Sequence, residues 1–153
     1  MEALKRITGE RPVGGAEPMW GVKKTTPDLL KKHSFLYDNS LMGDYMPYRI
    51  NAGGSTLVQI PISLILDDSS QFLFFPVMGS FMNSAQHAYQ TWMEEFDAIR
   101  ERGGVFALIQ HPNVTGHPGK LQLLRNMLEH MGKHDDVWFA TGREVAEHCM
   151  KFA

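Results

Sequence analysis

The side chains able to move protons or hold a metal fall into a few groups along the chain. His111 closes the run Gly103-Gly104-Val105-Phe106-Ala107-Leu108-Ile109-Gln110-His111-Pro112, and Asp67 and Asp68 stand side by side after Leu64-Ile65-Leu66. Paired carboxylates can do acid-base work or share a metal, because neighbouring like charges raise one pKa. Adjacent residues on a strand or loop usually point apart, which leaves a solvated turn as the competing reading. Asp38 and Asp44 could also be site carboxylates, although loop aspartates commonly bond their own backbone. His111 and His117 lie six apart; His130 and His134 lie four apart, with Gly132 and Lys133 interrupting their helix. A catalytic zinc needs three protein ligands and an open position. No third ligand is indicated for either pair, so the chain by itself is expected to hold no metal.

These side chains need a scaffold. Two glycines end a helical pattern before Val105, and the continuous apolar run that follows predicts a strand buried on both faces of a parallel sheet. In parallel α/β folds the chemistry collects at the carboxyl ends of such strands, which is where His111 falls. Asn83-Ser84-Ala85-Gln86 offers a capped start, and Ala85, Ala88, Trp92, Phe96 and Ile99 keep helical spacing up to Arg102-Gly103. Leu121, Leu124, Leu128 and Met131 predict the next apolar face. Val137-Trp138-Phe139-Ala140 reads as a second buried strand, and Thr141-Gly142-Arg143-Glu144 as a capping box opening the last helix. Earlier in the chain, Thr26-Pro27-Asp28 starts a helix, Phe35-Leu36-Tyr37 is a short strand, and Asn51-Ala52-Gly53-Gly54 turns into a strand over Thr56–Ile62. Phe72-Leu73-Phe74-Phe75-Pro76 is either core or an oligomer contact. Glu2–Ile7 reads as the last turns of a helix stopped by Thr8-Gly9, as though the chain began inside an element. Alternating helices and strands imply right-handed parallel crossovers.

Composition narrows the functional classes. With 153 residues, 43% of them hydrophobic, the chain is one domain's worth and can bury a core. Fifteen basic against seventeen acidic residues favour neither nucleic acid nor an anionic membrane as partner. No apolar run approaches the ~20 residues of a membrane span, and no secretory leader pattern follows Met1. A single cysteine, Cys149, excludes an internal disulfide, and a reducing cytoplasm is the expected setting.

The segments carrying these signals come in a telling order: Arg11–Trp20 with Pro12, Val13, Gly14, Pro18 and Trp20; Asp38–Tyr48; Leu66-Asp67-Asp68; Gln110-His111-Pro112 through Lys120; and Val137–Ala146. Together they resemble the C-terminal half of the polysaccharide deacetylase (NodB-like, carbohydrate esterase) family, in its peptidoglycan-deacetylase and allantoinase-like branch. The resemblance implies an α/β fold, a partial (β/α) barrel with outer helices. One chain of this length would not close it, because a closed barrel takes roughly 200–250 residues. It further implies a metal-dependent hydrolase of a non-peptide C–N bond, such as the N-acetyl group of an amino sugar. In the complete family zinc polarises the amide carbonyl and activates water, an upstream aspartate takes a proton, and a histidine gives one to the leaving amine. His111 falls on that catalytic position; a histidine that only hydrogen-bonds within its loop is the alternative. Trp20, Asp67 and Asp68 are the candidate substrate-binding residues, with Trp20 also readable as a core or lid aromatic.

Some positions depart from the family pattern. The aspartate-rich and histidine-pair motifs that build the zinc site lie upstream of where this chain begins, so zinc is expected of the complete family and not of this chain alone. Ala16 stands where the family has an arginine that orients the catalytic carboxylate, Leu64 stands for a tryptophan, and His117 for a frequent arginine. These departures count against activity of the isolated chain. The expected partners are a carbohydrate or small amide substrate and, because an open parallel sheet exposes its edges, a second copy or a complementary N-terminal half. A non-catalytic subunit of a split enzyme and a cyclic-amide hydrolase of the allantoinase-like kind are the other readings.

Overall fold

The structure is a computed structural model that describes residues 1–73 and 82–152. In chain order its regular elements are α1 (Glu2–Thr8), β1 (Gly14–Gly15), α2 (Thr26–Lys32), β2 (Tyr37–Asp38), β3 (Tyr48–Ala52), β4 (Ser55–Gln59), α3 (Asp68–Phe72), α4 (Ala85–Arg102), α5 (Pro112–Thr115), α6 (Pro118–Met131) and α7 (Gly142–Lys151). Short 3-10 turns at Pro18–Trp20 and Leu64–Leu66 join them. The chain forms two compact units, one made of Met1–Ile62 with Phe139–Ala153, the other of Ser63–Trp138. Among the described residues no helix is long and apolar enough to cross a membrane.

The first unit holds an open four-stranded sheet in the order β1-β2-β4-β3. β1, β2 and β4 run parallel, and β3 pairs antiparallel with β4 at the edge. The mixed α/β class and the unclosed, mostly parallel sheet implied by the resemblance are therefore what is found. The β3–β4 connection is the two-residue turn Gly53-Gly54, with φ of +57° and +77°. Positive φ at both positions suits a type I′ turn, whose twist matches that of the strands, and glycine takes it at no steric cost. The turn was legible in the sequence; β3 ahead of it was not, because Tyr48–Ala52 reads as part of the preceding loop. α7 opens with the predicted capping box: Thr141 Oγ1 accepts from Glu144 N, and Glu144 Oε2 accepts from Thr141 N at 2.7 Å. The Tyr37 ring packs against Gly142, where an added Cβ would stand 2.5 Å from the ring. That glycine is required for space.

The second unit is built on α4. Its predicted stripe is the stripe it buries: Ala88, Trp92 and Phe96, together with Met93, join Leu66, Phe72, Val114, Leu123, Met127 and Met131 in one core. Trp92 stacks edge-on against Phe72, ring centroids 5.9 Å apart, and donates its indole N–H to the Ile65 carbonyl at 2.7 Å. A buried tryptophan thereby contributes its large apolar area with its polar atom satisfied. The helix cap is Ser84, accepting from His87 N, so the start lies one residue beyond the Asn83 that a reciprocal glutamine at position 86 would require.

Four expectations are corrected. Val105–Ile109 does not form a strand buried on both faces: these residues are half-buried, and their pairing is one parallel bridge between Ile109 and Asp67. Neither is Val137–Ala140 a buried strand. Val137 packs on the core of the second unit, whereas Trp138 and Phe139 are exposed. An apolar run signals which residues could be covered; covering needs flanking strands, and the described residues provide one neighbour at one position. On α6 the buried face is Leu123, Met127 and Met131, with Leu121 and Leu128 exposed, so the apolar face is rotated from the predicted one. α2 starts at Thr26 behind Thr25, and Thr26 Oγ1 accepts from Lys23 N instead of capping. Of the aromatic stretch at 72–76, Phe72 is core and Leu73 packs against it, while positions 74–76 lie outside the described residues.

Candidate functional site

The second unit brings Asp67, Asp68 and His111 together from 43 residues apart. The Ile109 N–H donates to the Leu66 carbonyl at 2.8 Å, and Asp68 N donates to the Ile109 carbonyl at 3.1 Å. This short parallel clasp places the amino end of α3 against the amino end of α5. Both aspartates are fully buried. Asp68 Oδ2 accepts from His111 N at 2.8 Å and from Thr115 Oγ1 at 2.5 Å, and Asp68 Oδ1 lies 2.6 Å from His111 Nδ1. Thr115 reaches back because Pro112, at the start of α5, turns the chain straight from His111 into helix. Asp67 caps α3, its Oδ1 accepting from Ser69 N at 2.7 Å, while its Oδ2 is buried without a hydrogen-bond partner.

The pair has a defined polarity. With a carboxylate on Nδ1, that nitrogen carries the proton and Nε2 is the atom left to meet a ligand. The His111 side chain is 45% exposed, so it reaches solvent from a buried anchor. Its pKa is raised, first by the hydrogen bond to Asp68, which favours the imidazolium; burial opposes this, and the charges of Asp68 and then Asp67 add to it. The arrangement is that of a histidine that holds its proton more firmly than a free imidazole does.

Sequence reasoning located His111 and the two aspartates but not their relation. The solvated-turn alternative for Asp67 and Asp68 does not hold, since both converge on His111 beneath the surface. There Asp68 holds the His111 side chain and Asp67 Oδ1 lies 3.9 Å from its Nδ1, both carboxylates buried. Thr115 was missed; its four-residue spacing from His111 was the available signal. Trp20 belongs to the first unit, half-buried in a turn where its φ is +53°. Asp44 accepts from Tyr45 N and Met46 N, bonding its own loop, and Asp38 is buried, accepting from Ser40 Oγ at 2.7 Å.

Asp67, Asp68 and His111 each offer an atom within 4.8 Å of the others, as a metal site would. The fit is poor. Both Asp68 oxygens and His111 Nδ1 are committed to one another and to Thr115, which leaves Asp67 Oδ2 and His111 Nε2 uncommitted, short of the three ligands a catalytic zinc needs. The trio is a hydrogen-bonded carboxylate–histidine pair with Asp67 beside it, and not a three-ligand metal cradle.

An open, mostly parallel sheet in one unit and a carboxylate–histidine pair beyond a parallel bridge in the other define an α/β protein with a candidate acid–base site. No family model matches the chain. It is 32% identical, over 99% of its length, to a peptidoglycan deacetylase of Helicobacter pylori and covers 61% of that protein. Against the crystal structure of a protein assigned as a polysaccharide deacetylase from Mycobacterium smegmatis the TM-score is 0.91 at 37% identity, covering 99% of this chain and 54% of that one. An allantoinase crystal structure shares the fold, with a TM-score of 0.78 at 24% identity over 96% of this chain and 49% of that one. The chain belongs to the NodB-like polysaccharide deacetylase family, and it spans about half to three-fifths of the length of these relatives.

Proposed function

We propose that this chain supplies the proton-donating part of a deacetylase-type hydrolase acting on a non-peptide C–N bond, with the N-acetyl group of an amino sugar as substrate. The observation that carries the reading is the buried Asp68 on His111 Nδ1. Asp68 and Thr115 fix the ring, His111 presents a protonated Nε2, and as the C–N bond breaks that proton passes to the leaving nitrogen. A well-placed general acid contributes roughly 10²- to 10⁴-fold to rate. The names of the peptidoglycan and polysaccharide deacetylase relatives support this substrate class. A divalent metal, which the family resemblance implies, would polarise the amide carbonyl and activate water if bound; the residues around His111 do not fit it.

A second reading, a non-catalytic subunit that pairs with a complementary N-terminal half, is favoured by Ala16 in the place of the family arginine. One experiment separates them. Acetate release from an N-acetylglucosamine oligomer is measured for the chain combined with an upstream segment bearing the aspartate and histidine-pair motifs, with zinc present. The first reading expects turnover that falls by about 10²-fold or more in His111→Ala. Turnover unchanged in His111→Ala would refute the acid role, and no turnover in the wild-type pair would favour the non-catalytic subunit.

A further inference from the structure

We propose that Asp97, His130 and His134 form a binding site for a divalent transition metal of the zinc type, fastening the middle of α4 to the end of α6. From the sequence the two histidines had no third ligand; the fold supplies one on another helix. A nitrogen of each histidine and a carboxylate oxygen of Asp97 lie within 4.8 Å of one another, and His130 Nε2 stands 3.9 Å from Asp97 Oδ1. α6 ends at Met131, and the chain folds over Gly132 and Lys133 so that His134 turns back beside His130, ring centroids 5.3 Å apart. Phe96 forms an apolar wall, 6.0 Å from the His130 ring and 5.8 Å from that of His134.

The decisive observation is what the rings lack. The Nε2 atoms of both histidines are buried, and neither has a hydrogen-bond partner. Buried ring nitrogens are ordinarily satisfied, because leaving one unpaired costs about 1–3 kcal/mol. Two unpartnered ring nitrogens on histidines grouped with a carboxylate make a donor set that suits a metal. Two imidazoles and one carboxylate suit zinc, cobalt or nickel better than magnesium or calcium, which take oxygen ligands. Bonds of about 2.0–2.2 Å would set the ligand atoms some 3.3 Å apart, so the groups must close by about half an ångström or more. Asp97 is 54% exposed and can move. Three protein ligands leave a fourth position for water.

The test is titration of the metal-free purified chain with zinc by calorimetry and with cobalt by visible absorption, for wild type, His134→Gln, Asp97→Asn and His111→Ala. The expected result is one equivalent bound, a tetrahedral cobalt spectrum and a raised melting temperature with zinc, all lost in His134→Gln, weakened in Asp97→Asn and intact in His111→Ala. The exposed Asp97→Asn change keeps the test valid should His134→Gln lower stability. Absence of saturable binding tighter than about 1 mM, binding that survives His134→Gln and Asp97→Asn alike, or binding lost with His111→Ala would overturn the assignment.

Discussion

Replacing Asp68 by asparagine tests the carboxylate–histidine pair without changing its shape. The amide oxygen can still accept from His111 N and Thr115 Oγ1, which converge on one carboxylate oxygen, but the group facing His111 Nδ1 becomes an N–H donor. His111 must then hand its proton to Nε2, reversing its tautomer. One charge-assisted hydrogen bond is lost and two are weakened, offset in part by no longer burying a charge, so the net cost is about 2 kcal/mol. Part of it depends on pH. The folded pKa of His111 is raised, so the stabilisation is complete below the unfolded value of about 6.5 and disappears as pH rises through the folded value. Because the side chain is nearly half exposed, this part is held to about 1 kcal/mol or less by solvent screening. Urea unfolding followed by tryptophan fluorescence at about pH 5.5 and about pH 9 should show the larger difference between wild type and Asp68→Asn at the lower pH. Imidazole ¹⁵N NMR should show a lowered His111 pKa and a proton moved from Nδ1 to Nε2. An unchanged His111 pKa together with a stability loss equal at both pH values would refute the reasoning.

Three further substitutions probe the scaffold by thermal or urea unfolding. Gly142→Ala should cost about 1–3 kcal/mol by driving a methyl group into the Tyr37 ring, and in a double mutant with Tyr37→Ala most of that penalty should vanish. Trp92→Phe should cost about 2–4 kcal/mol, since it opens a cavity against Phe72 and removes the donor to the Ile65 carbonyl. Thr141→Ala should cost about 1 kcal/mol and fray the start of α7, read as faster amide exchange in its first turn.

What the sequence made legible was local. The stripe Ala88-Trp92-Phe96 and the box Thr141–Glu144 each carry their own periodicity or partner, and both elements formed where expected. On α6 two apolar stripes compete, Leu121/Leu128 and Leu123/Met127/Met131, and only the packing of α4 and α5 chooses the second. The runs at 105–109 and 137–140 are strand-like in composition, but a strand exists through its neighbours, which composition does not record. The same limit applies to the site. His111 could be singled out by its place after an apolar run, whereas its pairing with Asp68 depends on a contact across 43 residues, to which no spacing rule applies.

That contact also sets when the raised proton affinity of His111 can exist. Closing a loop of this length costs roughly 3 kcal/mol of chain entropy, and until Ile109 meets Leu66 and Asp68 the histidine has no carboxylate. A partial opening of the second unit would therefore return His111 to an ordinary imidazole while leaving its sequence neighbours in place. The proton affinity of one side chain becomes a gauge of cooperative folding, since the carboxylate that raises it is present only while the second unit is closed.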